Sequence, residues 1–455
     1  MHITTVLVYH RDDSEDSLSL AQVGQQIEAH LASLPVLQRK LHDPMMGMDE
    51  PYWVDDNHFD IDQHLYDTAL PTPGDWPQFR AKIAAIHQQR LNLRIPPWEA
   101  HIIRGLDSID ELPTGCAALL LKIHHAAIDG ISLAKLIYTL HQAVDTGLKS
   151  IEPEKGETDL PDTLSMLSQV NIKSVDRTKK LTDTATRLLP ALKNMQASRR
   201  GPDPSNKNMS RLKTRFNKRV DRERCTGAVY MDMVQFKKIK RSIKGVTPND
   251  IAVSIVGGAL RHYLKAHKEL PRKTLACGAP VNLRNAQAGK TNSREEKISG
   301  NQIATMRMGL GTQIEDPIER VRAVHQYALE GKENINILGS GIVMDISDSL
   351  MPQFLHEGLR AISLATQHTS LPVPYHVMVS NVPGSPRPTY LPGAELQLVL
   401  GFGPLRDTMG LFHIVTHNAQ RYSISFTSCP TMLPDEDVYE ECLRRSIREL
   451  LAKIE

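Results

Sequence analysis

Residues 116–144 constrain the fold most, reading CAALLLKI, then HHAAIDG, then ISLAKLIYTLHQAV. An apolar run over residues 116–123 has the length of a buried strand and ends on the paired His124 and His125. Asp129 and Gly130 follow, and then Leu133, Leu136, Ile137, Leu140 and Val144 repeat at the spacing of one helix face. The histidines therefore sit where a buried strand gives way to a helix, a common place for a site in a mixed α/β protein.

The junction limits its own chemistry. Successive side chains on a strand point to opposite faces, so His124 and His125 are not expected to serve one substrate or one metal together, and one of them is expected to face the core. Imidazole is the side chain best poised to take a proton near neutral pH, which makes His125 a candidate general base. Asp129 is near enough to shape the turn, or to be locked there by a cation from elsewhere, and Gly130 permits a close approach. A satisfied core histidine pair with a helix-capping aspartate is the plainer reading, and these residues alone leave it open. A metal site is not expected, because no Cys/His cluster supplies further ligands.

A chain of 455 residues is long enough for two domains. Its net charge of +2 argues neither for nor against nucleic acid, and no nucleic-acid partner is expected. The five cysteines (116, 225, 277, 429 and 442) show no CxxC spacing, as in a reduced, cytosolic setting. No apolar stretch approaches the roughly 20 residues of a membrane span, and the start, MHITTVLVYHRDD, lacks signal-peptide order and reads as a strand already under way. Contact with a membrane surface remains open.

In chain order, the spacing predicts a strand over 4–9, helices over 18–34 and 79–91, a strand over 100–106, and loops with short strands between 41 and 77. Residues 146–225 form a basic linker between an N-terminal half, 1–145, and a C-terminal half, 226–455. Its cations include Arg199, Arg200, Lys207, Arg211, Arg215, Lys218 and Arg224. It is either a solvated connector or a positive surface for phosphates or anionic lipid heads. In the second half Thr247, Pro248 and Asp250 form an ordinary helix start, which is the physical reading of Asn249 and Asp250. The helix through 265 is apolar nearly all round and should be buried. Arg284 closes a buried strand, where a bare cation needs a partner, and Asp129 is the expected one. Ser380 and Asn381 end a further strand before Val382, Pro383 and Gly384 force a turn. Strands over 396–400, 410–417 and 422–428, the last two a hairpin, precede a closing helix over 435–454.

Together these residues resemble a known family. His124, His125, Ala126, Ala127, Ile128, Asp129 and Gly130 match the HHxxxDG motif of coenzyme-A-dependent acyltransferases related to chloramphenicol acetyltransferase. Pro96, Pro97, Trp98 and Glu99, the helix-opening Asn249 and Asp250, and Ser380-Asn381-Val382-Pro383-Gly384 are similar to the bacterial wax ester synthase/diacylglycerol acyltransferase branch. Gly403-Pro404-Leu405 and Met409-Gly410-Leu411 resemble a strand approach of the same branch. Two departures stand out: Met1-His2 resembles an internal Met-His of the family, so the segment usual before the first strand is expected to be absent, either because the chain is naturally short or because its start is placed too late, and Ser385 stands where the family often has proline.

The resemblance implies an α/β fold of two chloramphenicol acetyltransferase-like domains, each a mixed sheet flanked by helices, with a tunnel between them. It implies long-chain acyl transfer from fatty acyl-CoA to a fatty alcohol or diacylglycerol, without cofactor, metal or acyl-enzyme. His125 would be the base, with His124 and Asp129 beside it. Ser380 or Asn381 would donate to the oxyanion, Arg284 would hold Asp129, and Asn249 and Asp250 would brace the tunnel. The basic linker and an apolar helix over 350–367 would suit peripheral contact with membranes or lipid inclusions. A non-catalytic lipid- or acyl-binding relative, and a transferase using another alcohol or an amine, remain open. The HxxxxD spacing from His124 to Asp129 also fits glycerophosphate-type acyltransferases, but their usual membrane segments and downstream phosphate motif are not found.

Overall fold

The computed structural model describes residues 1–11, 18–42, 51–128, 130–141, 212–282, 303–338 and 373–454. Among them the first part of the chain runs β1 (His2–Arg11), α1 (Leu20–His30), β2 (Arg39–His42), β3 (Tyr52–Asp55), β4 (Leu65–Ala69), α2 (Trp76–Gln88), β5 (Trp98–Leu106), β6 (Cys116–His124) and α3 (Gly130–Leu140). The second part runs β7 (Cys225–Asp232), α4 (Met233–Ser242), α5 (Pro248–Ala266), β8 (Ala276–Asn282), β9 (Ile303–Gly309), α6 (Pro317–Leu338), β10 (Val377–Asn381), β11 (Tyr390–Leu391), β12 (Ala394–Phe402), β13 (Leu411–His417), β14 (Arg421–Ser428) and α7 (Glu436–Ala452). The elements expected from periodicity are present where the residues are described. The helix expected over 350–367 lies outside the described residues.

Two six-stranded mixed sheets form the frame, ordered β11-β12-β1-β6-β5-β4 and β7-β14-β13-β10-β8-β9. The first is not built by the N-terminal half alone. β12, from the far end of the chain, pairs antiparallel with β1, whose other edge pairs with β6. The reason is burial. Val6, Leu7 and Val8 of β1 are fully buried, so both edges of that strand must find partners out of water. Each such side chain contributes on the order of 1.5–3 kcal/mol.

Alternation on the first sheet divides its core. Val6, Val8, Ala118, Leu120, Leu398 and Leu400 meet α2 through Phe79, Ile83 and Ile86. On the other face Leu7, Leu119, Leu121 and Ile123 meet α1 and α3, and the same cluster takes in Met378, Phe412 and Ile414 from the second sheet. This shared cluster is the seam between the sheets. They approach so closely where β12 hands over to β13 that glycine is required: a Cβ on Gly401 would stand 2.6 Å from Ile414, and one on Gly403 2.6 Å from the Phe412 ring. Thr416 Oγ1 also donates to the Val399 carbonyl at 2.6 Å across the crossing.

On its far face the second sheet is covered by α4 to α7 over a separate core. α5 is held there by its own chemistry. Thr247 and Asp250 form a capping box, with Asp250 Oδ2 accepting from Thr247 N at 2.8 Å, and Gly257 lets the helix press against the Leu310 carbonyl. A polar tie joins α2 to α7: Arg80 reaches Asp437 at 2.5 Å, and Trp76 Nε1 donates to Glu440 at 3.0 Å. Part of the stretch after residue 211, expected as the end of a linker, is packed. Phe216 is fully buried and its carbonyl accepts from Gly410 N at 2.9 Å, while Arg215 pairs with Glu269 at 2.8 Å.

Several histidines are locked neutral in this frame. His413 donates from Nδ1 to the Met378 carbonyl and accepts the Tyr439 hydroxyl at Nε2, and burial pushes it down to about 4. Burial likewise pushes His2, His124 and His376 down to about 4 and His87 well below its ordinary value. The unfolded chain, with histidines near 6.5, then binds more protons than the folded one between those values. Stability should therefore be full above about pH 6.5 and fall steadily as the pH drops toward 4. Thermal melts from pH 7 to pH 5 check this, and a melting temperature that holds or rises over that interval would contradict it.

Candidate active site

The site is built where the β6 ladder stops. Trp98 of β5 faces Ile123, so the next two positions bring Pro97 opposite His124 and Pro96 opposite His125. Proline has no N–H to donate, so the ladder ends on one last bond, from His124 N to the Pro97 carbonyl at 2.9 Å. The chain then turns, with Ala127 N donating back to the His124 carbonyl at 2.9 Å, and Ile128 buries itself in the seam core as a plug.

This corrects the expectation that one of the two histidines faces the core. Both are half-buried, because strand alternation ends at His124 and His125 already lies in the turn. The His124 ring folds back so that Nδ1 accepts from Ala126 N at 3.3 Å. Burial, then the amino-terminal charge, then His125 push it down to about 4, so it is neutral at physiological pH. The His125 backbone is fixed by its N–H to the Met1 carbonyl at 3.1 Å. Among the described residues no group of three or more His, Cys, Asp or Glu is placed to hold a metal.

Pro96, Pro97, Trp98 and Glu99 owe their place to this strand end. Trp98 is buried, donates from Nε1 to the Leu37 carbonyl at 2.8 Å and stacks on His64 at 4.4 Å. Glu99 is the cross-strand partner of Lys122, whose Nζ donates to Oε2 at 3.2 Å, and His101 meets the same oxygen at 3.1 Å. Lys122 interrupts the apolar run and is fully buried. Burial pushes the Glu99 carboxyl up, but His101 and Lys122 outweigh it and hold it below the ordinary range. Burial also lowers Lys122, against the pull of Glu99. Sequence reasoning missed this pair. The available signal was one lysine inside a run otherwise apolar.

The second half reaches the motif through Gly130. A Cβ there would stand 3.4 Å from Val382 Cγ2, so the first residue of α3 lies against the Ser380 to Gly384 turn. Strand parity then separates Ser380 from Asn381. Val377 and Val379 point into the core beneath the helices, whereas Met378 joins the seam core and Val382 packs against it. Ser380 therefore shares the seam face with the histidine motif. Asn381 looks the other way, is exposed, and lines a cavity of about 220 Å³ with Met233, Phe236, Pro248, Pro383, His417 and Tyr422.

Asp250 is committed to its cap and to His325 Nδ1 at 2.8 Å, and Asn249 Nδ2 approaches Met308 Sδ at 3.8 Å. Both serve α5, on the helix side of the second sheet. Asp129 and Arg284 lie outside the described residues, and so does their expected pairing. A larger cleft of about 1460 Å³ lies between α5, the start of α6 and α7, and none of its lining residues belongs to the histidine motif.

The Lys122 and Glu99 pair makes a sharp prediction. Glu99→Leu strands a fully buried ammonium and should cost about 3–5 kcal/mol of stability, while adding Lys122→Met should recover most of that loss. Urea unfolding of the single and double variants checks it, and a double variant no more stable than the single would contradict it.

Comparison with known proteins shows the family. Residues 1–252 match the wax ester synthase/diacylglycerol acyltransferase catalytic domain and residues 299–451 match the C-terminal domain of the same family. A putative diacylglycerol O-acyltransferase of Mycobacterium tuberculosis is 26% identical over 436 residues, covering 93% of this chain and 81% of the relative. Among solved structures, the wax ester synthase/diacylglycerol acyltransferase of Marinobacter aquaeolei VT8 superposes with a TM-score of 0.66 at 21% identity, over all of this chain and 95% of that one. A trichothecene 15-O-acetyltransferase of Fusarium sporotrichioides shares the fold at a TM-score of 0.56 and 12% identity, over all of this chain and 90% of that one. With both family domains matched along most of its length, the chain belongs to the wax ester synthase/diacylglycerol acyltransferase family and is an acyltransferase.

Proposed function

We propose that the protein moves a long-chain fatty acyl group from acyl-CoA to a fatty alcohol or diacylglycerol, giving wax ester or triacylglycerol, with His125 as general base. The observation that carries this reading is the placement of His125: on a turn off the end of β6, half-buried, with Gly130 of the same motif against Val382 of the second half. The acceptor hydroxyl oxygen attacks the thioester carbonyl while His125 takes its proton. The tetrahedral intermediate then expels the coenzyme A thiolate, which recovers that proton from the imidazolium. The acyl group passes directly between substrates, and no step calls for a metal or cofactor.

Ser380 is the better candidate for the oxyanion donor, because its strand position faces the seam and that of Asn381 does not. His124, neutral and bonded to Ala126 N, shapes the turn rather than sharing the proton. Asp129 paired with Arg284 would fix the loop from below. Asn249 and Asp250 support the reaction at a distance, through the helix they start. Peripheral contact with a membrane or lipid inclusion belongs to the same reading, since both proposed acceptors partition into lipid.

Thiol release from palmitoyl-CoA in the presence of hexadecanol or dioleoylglycerol tests the function. Release should depend on the acceptor and fall by about 10²–10⁴-fold in His125→Ala. Folded wild-type protein that releases no thiol with either acceptor would overturn the reading in favour of a lipid-binding relative. In the same assay Ser380→Ala should lower kcat by about 10²–10³-fold, and Asn381→Ala far less. The reverse order would show that the wrong face of β10 has been assigned.

A further inference from the structure

α4 carries a surface that the reaction does not use. Phe236, Ile239 and Ile243 are buried in the core of the second sheet, with Phe236 stacked on Tyr422 at 4.0 Å. The opposite side is exposed and bears Lys237, Lys238, Lys240 and Arg241, with Lys244 just beyond the helix end. No carboxylate lies between Met233 and Lys244. Lys237, Lys240, Arg241 and Lys244 form no ion pair with a described residue. In their midst Val234 is 78% exposed.

At about 100° per residue, positions 234, 237, 238, 240 and 241 fall within an arc of roughly 160°, opposite the buried stripe, and span about 10 Å of axis. The arc is convex, so a single phosphate touches only one or two of these cations, whereas a plane of anionic headgroups meets them together. In a chain of net charge only +2, Lys237, Lys240, Arg241 and Lys244 stand together on this side without an ion pair to a described residue. The helix stays anchored through its apolar face, so the contact is a docking on headgroups rather than an insertion. Its first turn also reaches the end of β10: Met233 and Phe236 line the small cavity that Asn381 and Pro383 complete.

We propose that the outer face of α4 docks the protein onto an anionic phospholipid surface, bringing the enzyme to its lipid acceptor. The inference rests on the lipid-acceptor reading above, but its test reads binding separately from catalysis.

The test is co-sedimentation of the full chain with phosphatidylcholine vesicles containing one quarter phosphatidylglycerol, beside vesicles of phosphatidylcholine alone. The protein should pellet with the anionic vesicles only and be released by molar salt. The variant Lys237→Gln/Lys240→Gln/Arg241→Gln/Lys244→Gln should bind on the order of 100-fold more weakly. Lys237→Arg/Lys240→Arg/Lys244→Arg should bind as the wild type does. Both variants should melt normally and release thiol at wild-type rates with detergent-dispersed hexadecanol. Undiminished vesicle binding by the glutamine variant would overturn the proposal. So would displacement of the protein from vesicles by millimolar free coenzyme A or inorganic phosphate at constant ionic strength, because the patch would then be a site for soluble phosphates. Vesicle binding without thiol release would instead count against the catalytic reading and leave the docking surface standing.

Discussion

The bond from His124 N to the Pro97 carbonyl fixes where the β6 ladder ends and the turn that carries His125 begins. A strand in mid-sheet holds its side chains in alternation and in apolar surroundings, which suits packing and not proton transfer. Pro97, opposite the end of β6, has no N–H to return to the His124 carbonyl, which accepts from Ala127 N instead, so the alternation stops and His125 leaves the sheet on a turn. Everything nearby serves to keep that end in place. Trp98 and Ile128 wedge it into the core, and Glu99 holds the one cation that the strand buries.

A second constraint brings the halves together. β1 is too apolar to stand at an edge, and it takes β12 from the far end of the chain as its neighbour. β13 then returns at once to the second sheet, and β10 lies beside β13. The strand that presents Ser380 is thus tied through one short crossing to the sheet that presents His125. Glycines at 401 and 403 allow the close contact, and the seam core shared by both sheets makes it cooperative.

Much of this was legible in the sequence, for reasons that can be named. β6 and α3 showed themselves by the change from a continuous apolar run to helical spacing, and the start of α5 by its Thr-Pro-x-Asp cap. The partnership of β12 with β1 was not legible, because no local pattern states which distant strand fills an edge. The expectation that one histidine faces the core failed because period-two reasoning was carried one residue past the end of the ladder. The division between Ser380 and Asn381 needed the alternation of residues 377–382 together with knowledge of which face the helices cover, and only the second part is structural. Lys122 was visible as a lone cation in an apolar run, but its partner Glu99 lies on another strand.

The central claim is that His125 acts as a base in one direct transfer between two bound substrates. Rapid mixing of the enzyme with acyl-CoA, with thiol release and intact protein mass followed together and acceptor either absent or present, tests it most directly. The account predicts no early thiol and no gain in protein mass without acceptor, then thiol and ester appearing together once alcohol is added. A burst of thiol equal to the enzyme concentration, with the protein heavier by one acyl group before any alcohol arrives, would contradict it.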